Sequence, residues 1–117
     1  MRPLRIVVVE DAPARVHGAI TLALAAAALG RDVGVFFQGE AVRALKASGE
    51  PYPETPVAGV ATVAELITQC GEMDVRLIAC ETGMHMSGLR ASALMPGVET
   101  GGLIGFLADA DADIMTV

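Results

Sequence analysis

The chain is short of positive charge. Lys46 is its one lysine, and eight Lys and Arg stand against fourteen Asp and Glu, a net charge of −6 over 117 residues. An acidic body attracts neither a phosphate backbone nor an anionic lipid surface, so neither nucleic acid nor a membrane is expected as a partner. Two cysteines, Cys70 and Cys80, are too few for a disulfide framework, and a chain that is 53% hydrophobic does not need one. Charged residues make up only 19%, which excludes a disordered, solvating chain. No apolar run is long enough to cross a bilayer. The longest, residues 19–29, is interrupted by Thr21 and falls far short of the roughly 20 residues a spanning helix needs. The opening Met1-Arg2-Pro3-Leu4-Arg5 runs into a short apolar stretch that stops at Glu10-Asp11 with no small-residue cleavage site. No secretory signal is read there, and the expected compartment is the cytoplasm, with both thiols reduced.

What is present is an alternation of aliphatic runs and helical stretches, without repeats or low-complexity tails. Residues 4–9 are a continuous, mostly β-branched run ending at Glu10, the pattern of a strand buried on both faces of a parallel sheet. Asp11 as a capping carboxylate and Pro13 in the first turn open a helix over 12–29, which Gly30 closes. Beyond Arg15, His17 and Thr21 that helix has little polar surface, so it is expected to be covered on two sides. A strand over 32–37 turns at Gln38-Gly39 into a short helix over 40–47. Residues 48–60 hold three prolines, two glycines and the only tyrosine, and form the one loop long enough to act as a lid. A helix over 61–70, with Val63, Leu66 and Ile67 as its core stripe, stops at Gly71. A strand over 74–79 ends at Cys80, and the helix that follows, 81–93, is weakened by Gly83 and Gly88. A strand over 98–100, a helix over 101–108 and a strand over 113–117 complete the alternation. The pattern predicts a single α/β domain, 1–117, of three layers: a five-stranded parallel sheet with helices on both faces.

Ligands of such sheets bind outside the carboxyl ends of the strands. That rule selects Glu10-Asp11, Gln38-Gly39, residues 80–86, Gly101-Gly102 and, one turn into the first helix, His17. Cys80 is the one evident nucleophile. A cysteine between a strand and a helix start meets unpaired backbone N–H groups and the helix dipole, which stabilise a thiolate. Such a thiolate attacks sulfane sulfur and carries it as a persulfide, or is oxidised. The plainer alternative is a small buried side chain ending the strand. Glu81 beside it works against ionisation, as do Glu10 and Asp11 if they come close. Cys70, at a helix end, is read as structural. His85 is the candidate to orient or deprotonate the Cys80 thiol, with His17 a weaker second.

Cys80 and His85 with the thioethers of Met84 and Met86 make a set of soft ligands for an ion such as Cu(I). One cysteine and one histidine match no zinc spacing, so neither metal nor cofactor is expected. Gly101-Gly102 opens a helix after a strand and is the candidate anion-binding turn, through its backbone amides. Tight helix–sheet packing explains the pair equally well, and its spacing fits neither a dinucleotide fingerprint nor a Walker loop. The opening run to Glu10-Asp11 looks like a phospho-receiver domain, but such a domain needs a late lysine and none follows Lys46. Neither a Cys-x-x-Cys pair nor an arginine five or six residues past Cys80 is present. Their absence removes a thioredoxin-like dithiol and a rhodanese or tyrosine-phosphatase loop.

Four segments together resemble the DsrE/DsrF/DsrH-like family. They are Val35-Phe36-Phe37-Gln38-Gly39-Glu40-Ala41-Val42, Val75-Arg76-Leu77-Ile78-Ala79-Cys80, Gly97-Val98-Glu99-Thr100-Gly101-Gly102-Leu103 and Asp113-Ile114-Met115-Thr116-Val117. The resemblance spans essentially the whole chain, and the cysteine in its place is the most specific element. It implies a five-stranded parallel sheet and assembly into trimers or hexamers. As in the sulfur-relay members, it also implies a persulfide-carrying cysteine, Cys80, that exchanges sulfur with donor and acceptor proteins. Glu81-Thr82-Gly83-Met84-His85-Met86 departs from the small-residue segment of those members. Whether the chain turns over a substrate is therefore left open. The readings carried forward are a sulfurtransferase-like sulfur carrier, an oligomeric binding module using the cleft beside residues 48–60, and a thiol redox sensor. Oligomerisation is expected on separate grounds, because a first helix so poor in polar residues leaves apolar surface for another subunit.

Overall fold

A computed structural model describes residues 1–108 and 111–117. β1 (Leu4–Val8), five residues all buried, pairs with β2 (Val33–Phe37) on one side and β5 (Asp113–Thr116) on the other. β3 (Arg76–Cys80) extends the sheet beyond β2, and β4 (Glu99–Gly101) forms the far edge. The order is β4-β3-β2-β1-β5, with every pair parallel. The expected strand over 74–79 lies further along. Asp74 takes a left-handed conformation, φ 56°, that excludes it from a strand, and Cys80 is the last strand residue, opposite Gly101.

Helices cover both faces, unequally. α1 (Pro13–Ala28), α2 (Val63–Glu72) and α3 (Glu81–Ser87) follow β1, the β2 crossover and β3. They share one core with Leu4, Ile6, Val8, Val35, Phe37, Leu77 and Ala79 of the sheet. Among the described residues α4 (Leu103–Ala108) is the helix on the other face, where Phe106 packs with Val7, Phe36 and Ile78, its ring centroid 5.3 Å from that of Phe36. The expected covering of α1 comes from the sheet and α2. Ala14, Gly18, Thr21, Leu22 and Ala25 remain exposed.

Several boundaries differ from the sequence reading, each for a local reason. Asp11 does not cap α1. The N-cap is Ala12, without a side-chain bond, and Asp11 instead accepts the Tyr52 hydroxyl at 2.8 Å. The helix expected over 40–47 is a 3₁₀ segment, Gly39–Leu45, whose buried residues Ala41, Val42, Ala44 and Leu45 recur at the three-residue period of that helix. α2 does not stop at Gly71. It ends where Asp74 turns left-handed and the Val75 N–H reaches back to the Cys70 carbonyl at 2.9 Å, a Schellman closure made without glycine. α3 is half its expected length, because Gly88 (φ 66°) closes it in the same way, with Leu89 N–H on Met84 O. A short 3₁₀ turn, Ala91–Ala93, follows. The helix expected from Gly101 begins at Leu103, since Gly101 still belongs to β4. The 48–60 loop is tied at two points, by Tyr52 to Asp11 and by the Glu54 carboxylate, which accepts the Val63 N–H at the start of α2.

Candidate functional site

β3 delivers Cys80 to the carboxyl edge of the sheet. Leu77, Ile78 and Ala79 are buried, and Cys80, half-buried, is both the last strand residue and the N-cap of α3. Its extended backbone (φ −64°, ψ 123°) lets the side chain fold back over the first helical turn, where Sγ accepts the Gly83 N–H at 3.3 Å. Serine or aspartate oxygens usually fill that place, and here a sulfur takes it.

The crossovers open a cleft in front of this sulfur. From β3 the chain leaves toward the α1–α2 face, as α3, and from the adjacent β4 it leaves toward the opposite face, as α4. Two neighbouring strands whose exits diverge create the crevice in which open parallel sheets bind ligands. The cleft holds about 640 Å³. Phe36, Met86 and Leu103 give it apolar lining, Gln38, Glu81 and Thr82 supply polar groups, and Gly39, Gly101 and Gly102 bring bare backbone to Cys80.

The structure thus unites Cys80 with Gly101 and Gly102, and it separates them from both histidines. His85 is exposed and lines a neighbouring groove of about 320 Å³ with Glu81, Met84, Leu89, Arg90 and Thr100. His17 bonds the Ala61 carbonyl through Nε2 at 2.9 Å, next to the 48–60 loop. The soft-ligand set is dispersed by the helix: Met84 is buried in the main core, His85 faces the side groove and Met86 lines the cleft. Cys70 is fully buried, and burial pushes its thiol up to about 12, as befits a structural residue. Glu10 pairs with Arg15 at 3.5 Å and Asp11 with Tyr52, so neither acid lines the Cys80 cleft. The 48–60 loop does not line it either. It borders a separate cavity of about 330 Å³ with Arg43, Lys46 and Thr62.

Gln38 and Glu81 had a sequence signal, since both stand beside strand ends that the parallel-sheet rule selects. Thr82 and Met86, four residues apart on α3, share the helix side that faces the cleft. Phe36 and Leu103 had none, because only the placement of α4 under β2 and β3 makes them neighbours of Cys80.

The sequence matches the DsrE/DsrF-like family over residues 6–114. The chain belongs to the DsrE/DsrF-like family. No curated protein sequence matches it. Among solved structures of this DsrE-like fold, the ychN protein from E. coli is similar over the whole of both chains, with a TM-score of 0.77 and 21% identity. A protein of unknown function, MTH1491 from Methanobacterium thermoautotrophicum, also aligns over the whole of both chains, with a TM-score of 0.73 and 16% identity. At those identities the likeness of this DsrE-like chain to both proteins is one of fold.

Proposed function

We propose that the protein is a sulfur carrier in which Cys80 accepts sulfane sulfur as a persulfide and passes it on. The observation that carries this reading is the Cys80 sulfur held by the Gly83 N–H at the mouth of the divergent-exit cleft. In the accepting step the Cys80 thiolate attacks the outer sulfur of a donor persulfide. The Sγ–S bond forms as the donor's S–S bond breaks, and the electron pair leaves on the donor sulfur, which takes a solvent proton. An acceptor thiolate reverses the step, so no net oxidation or cofactor is involved. The backbone of Gly101 and Gly102 faces the transferred sulfur in this scheme. Because His85 lies in the adjoining groove, it is assigned no step.

The proposal extends to a homo-oligomer, trimeric or hexameric, working in the cytoplasm with donor and acceptor proteins. Every residue of the edge strand β5 is exposed, and Ile104 of α4 and Ile114 of β5 stand 86% and 57% open, which supports a covering subunit. No helix among the described residues is long and apolar enough to cross a membrane.

Incubation with excess low-molecular-weight persulfide, read by intact mass, tests the chemistry. The native chain is expected to gain the mass of one sulfur and Cys80→Ser none. An equal gain by both proteins would overturn the reading.

A further inference from the structure

The cleft carries charge of one sign only. Among the described residues that line it, Glu81 bears the single charge, and no lysine, arginine or histidine is present. Glu81 follows Cys80 directly, is exposed, and borders both the Cys80 cleft and the side groove. The basic side chains next along the chain, His85 and Arg90, line that side groove and not the cleft. The rest of the molecule does not offset this charge, since the chain as a whole carries −6.

We infer that Glu81 biases the cleft against small anions, so that sulfane sulfur reaches Cys80 more readily from an uncharged donor, the protonated form of a persulfide included, than from an oxyanion. The inference rests on the reading of Cys80 as the reactive thiol. Physically, the Gly83 N–H donates to the sulfur that reacts, while the neighbouring carboxylate repels a negative charge that approaches it through the same opening. An oxyanion such as thiosulfate meets this repulsion without a compensating cation, and an uncharged sulfane-sulfur compound does not. Between exposed or half-exposed charges a few ångströms apart the effect on an encounter rate is about threefold at low salt, and it fades as the Debye length shrinks.

Two alkylating reagents of nearly the same size, iodoacetate and iodoacetamide, differ in charge and isolate this effect. The ratio of their rates at Cys80, assigned by peptide mass and divided by the same ratio for a free small thiol, cancels the ionisation and accessibility of the sulfur. The native chain is expected to show a ratio about threefold below the free thiol, and Glu81→Gln to restore most of it. Glu72→Gln removes an equal charge at the exposed end of α2, by the opposite edge of the sheet, and is expected to leave the ratio unchanged. Raising salt on the native chain, which needs no variant, is expected to bring its ratio toward that of the free thiol. A native ratio equal to the free thiol, or equal recovery in Glu81→Gln and Glu72→Gln, would overturn the charge selectivity while leaving a reactive Cys80 in place. A Cys80 inert to both reagents would instead overturn the sulfur-carrier reading, and this inference with it.

Discussion

Gly83 of α3 lies directly against the carbonyl of Gly39, so close that a Cβ at position 83 would overlap that oxygen. The same residue donates its N–H to Cys80 Sγ. An absent side chain therefore brings the 3₁₀ segment against the helix, and the backbone of that residue holds the sulfur. Gly83→Ala is expected to cost about 1–3 kcal/mol, the usual penalty of overpacking, and to change the alkylation rate of Cys80 by displacing α3. Gly71, inside α2 with open space around its Cα, is the contrasting case: Gly71→Ala is expected to stabilise by about 0.5–1 kcal/mol. Urea unfolding of both variants checks the opposite signs, and shifts in the same direction would contradict the contact.

Cys70 and Cys80 are expected to separate completely in a labelling experiment. In the native chain one alkyl group enters, at Cys80, and the second only after unfolding, because Cys70 is fully buried and its thiol is pushed up to about 12 by burial. The buried form is the protonated one. Its contribution to stability is intact below the ordinary thiol value of about 8.5 and is lost as pH climbs from there toward about 12. Urea midpoints measured from neutral to alkaline pH should fall, and Cys70→Ala should flatten that fall while lowering stability by about 1 kcal/mol or more at neutral pH.

Tyr52 anchors the 48–60 loop through its hydroxyl on Asp11. Burial, foremost, then the hydrogen bond to Asp11 and the charges of Asp11 and Glu54 raise its phenol above the usual value. With no other tyrosine and no tryptophan in the chain, near-ultraviolet absorbance reads this group alone. Its contribution to stability is present below the unfolded value of about 10 and lost as pH rises beyond it. Phenolate formation is expected to track unfolding, and a titration at the free-tyrosine value in the folded chain would contradict the anchor. Tyr52→Phe should cost about 1 kcal/mol.

Asp113, at the start of β5, receives Arg2 Nε at 2.9 Å and Arg31 Nη2 at 2.7 Å. Those hydrogen bonds hold its carboxyl below the ordinary range. The sign is opposite to that of the thiol and the phenol. The contribution is present above the unfolded value of about 3.9 and is lost as pH falls through the lower folded value. Asp113→Asn is expected to make the acid limb of a urea-midpoint profile shallower while leaving the alkaline limb alone. An unchanged acid limb would remove the pair from the account of stability.

Short-range rules carried much of this fold. The aliphatic run over residues 4–9, the stripe Val63, Leu66 and Ile67, and the closing turn at Gly30 follow from burial periodicity and backbone sterics within a few residues. Those alone predict a parallel α/β sheet. They also place Cys80 at a strand end, since the strand and the helix on either side of it are each legible. Where a local rule met a distant partner, the partner prevailed. Asp11 is engaged by Tyr52, forty-one residues away, and does not cap α1. Gly83, which reads as a helix weakener, is instead demanded by Gly39.

From the sequence alone came the alternation of elements, the acidic charge and a cysteine where a strand gives way to a helix, because these depend on neighbours along the chain. Tertiary structure alone decided which groups that cysteine meets. The exits from β3 and β4 run to opposite faces of the sheet, and this divergence brings Phe36, Gly101 and Leu103 to the sulfur. The turn of α3 carries His85 round to another groove and leaves Glu81 at the mouth. Spacing along a chain does not determine on which side of a sheet the next helix will pack.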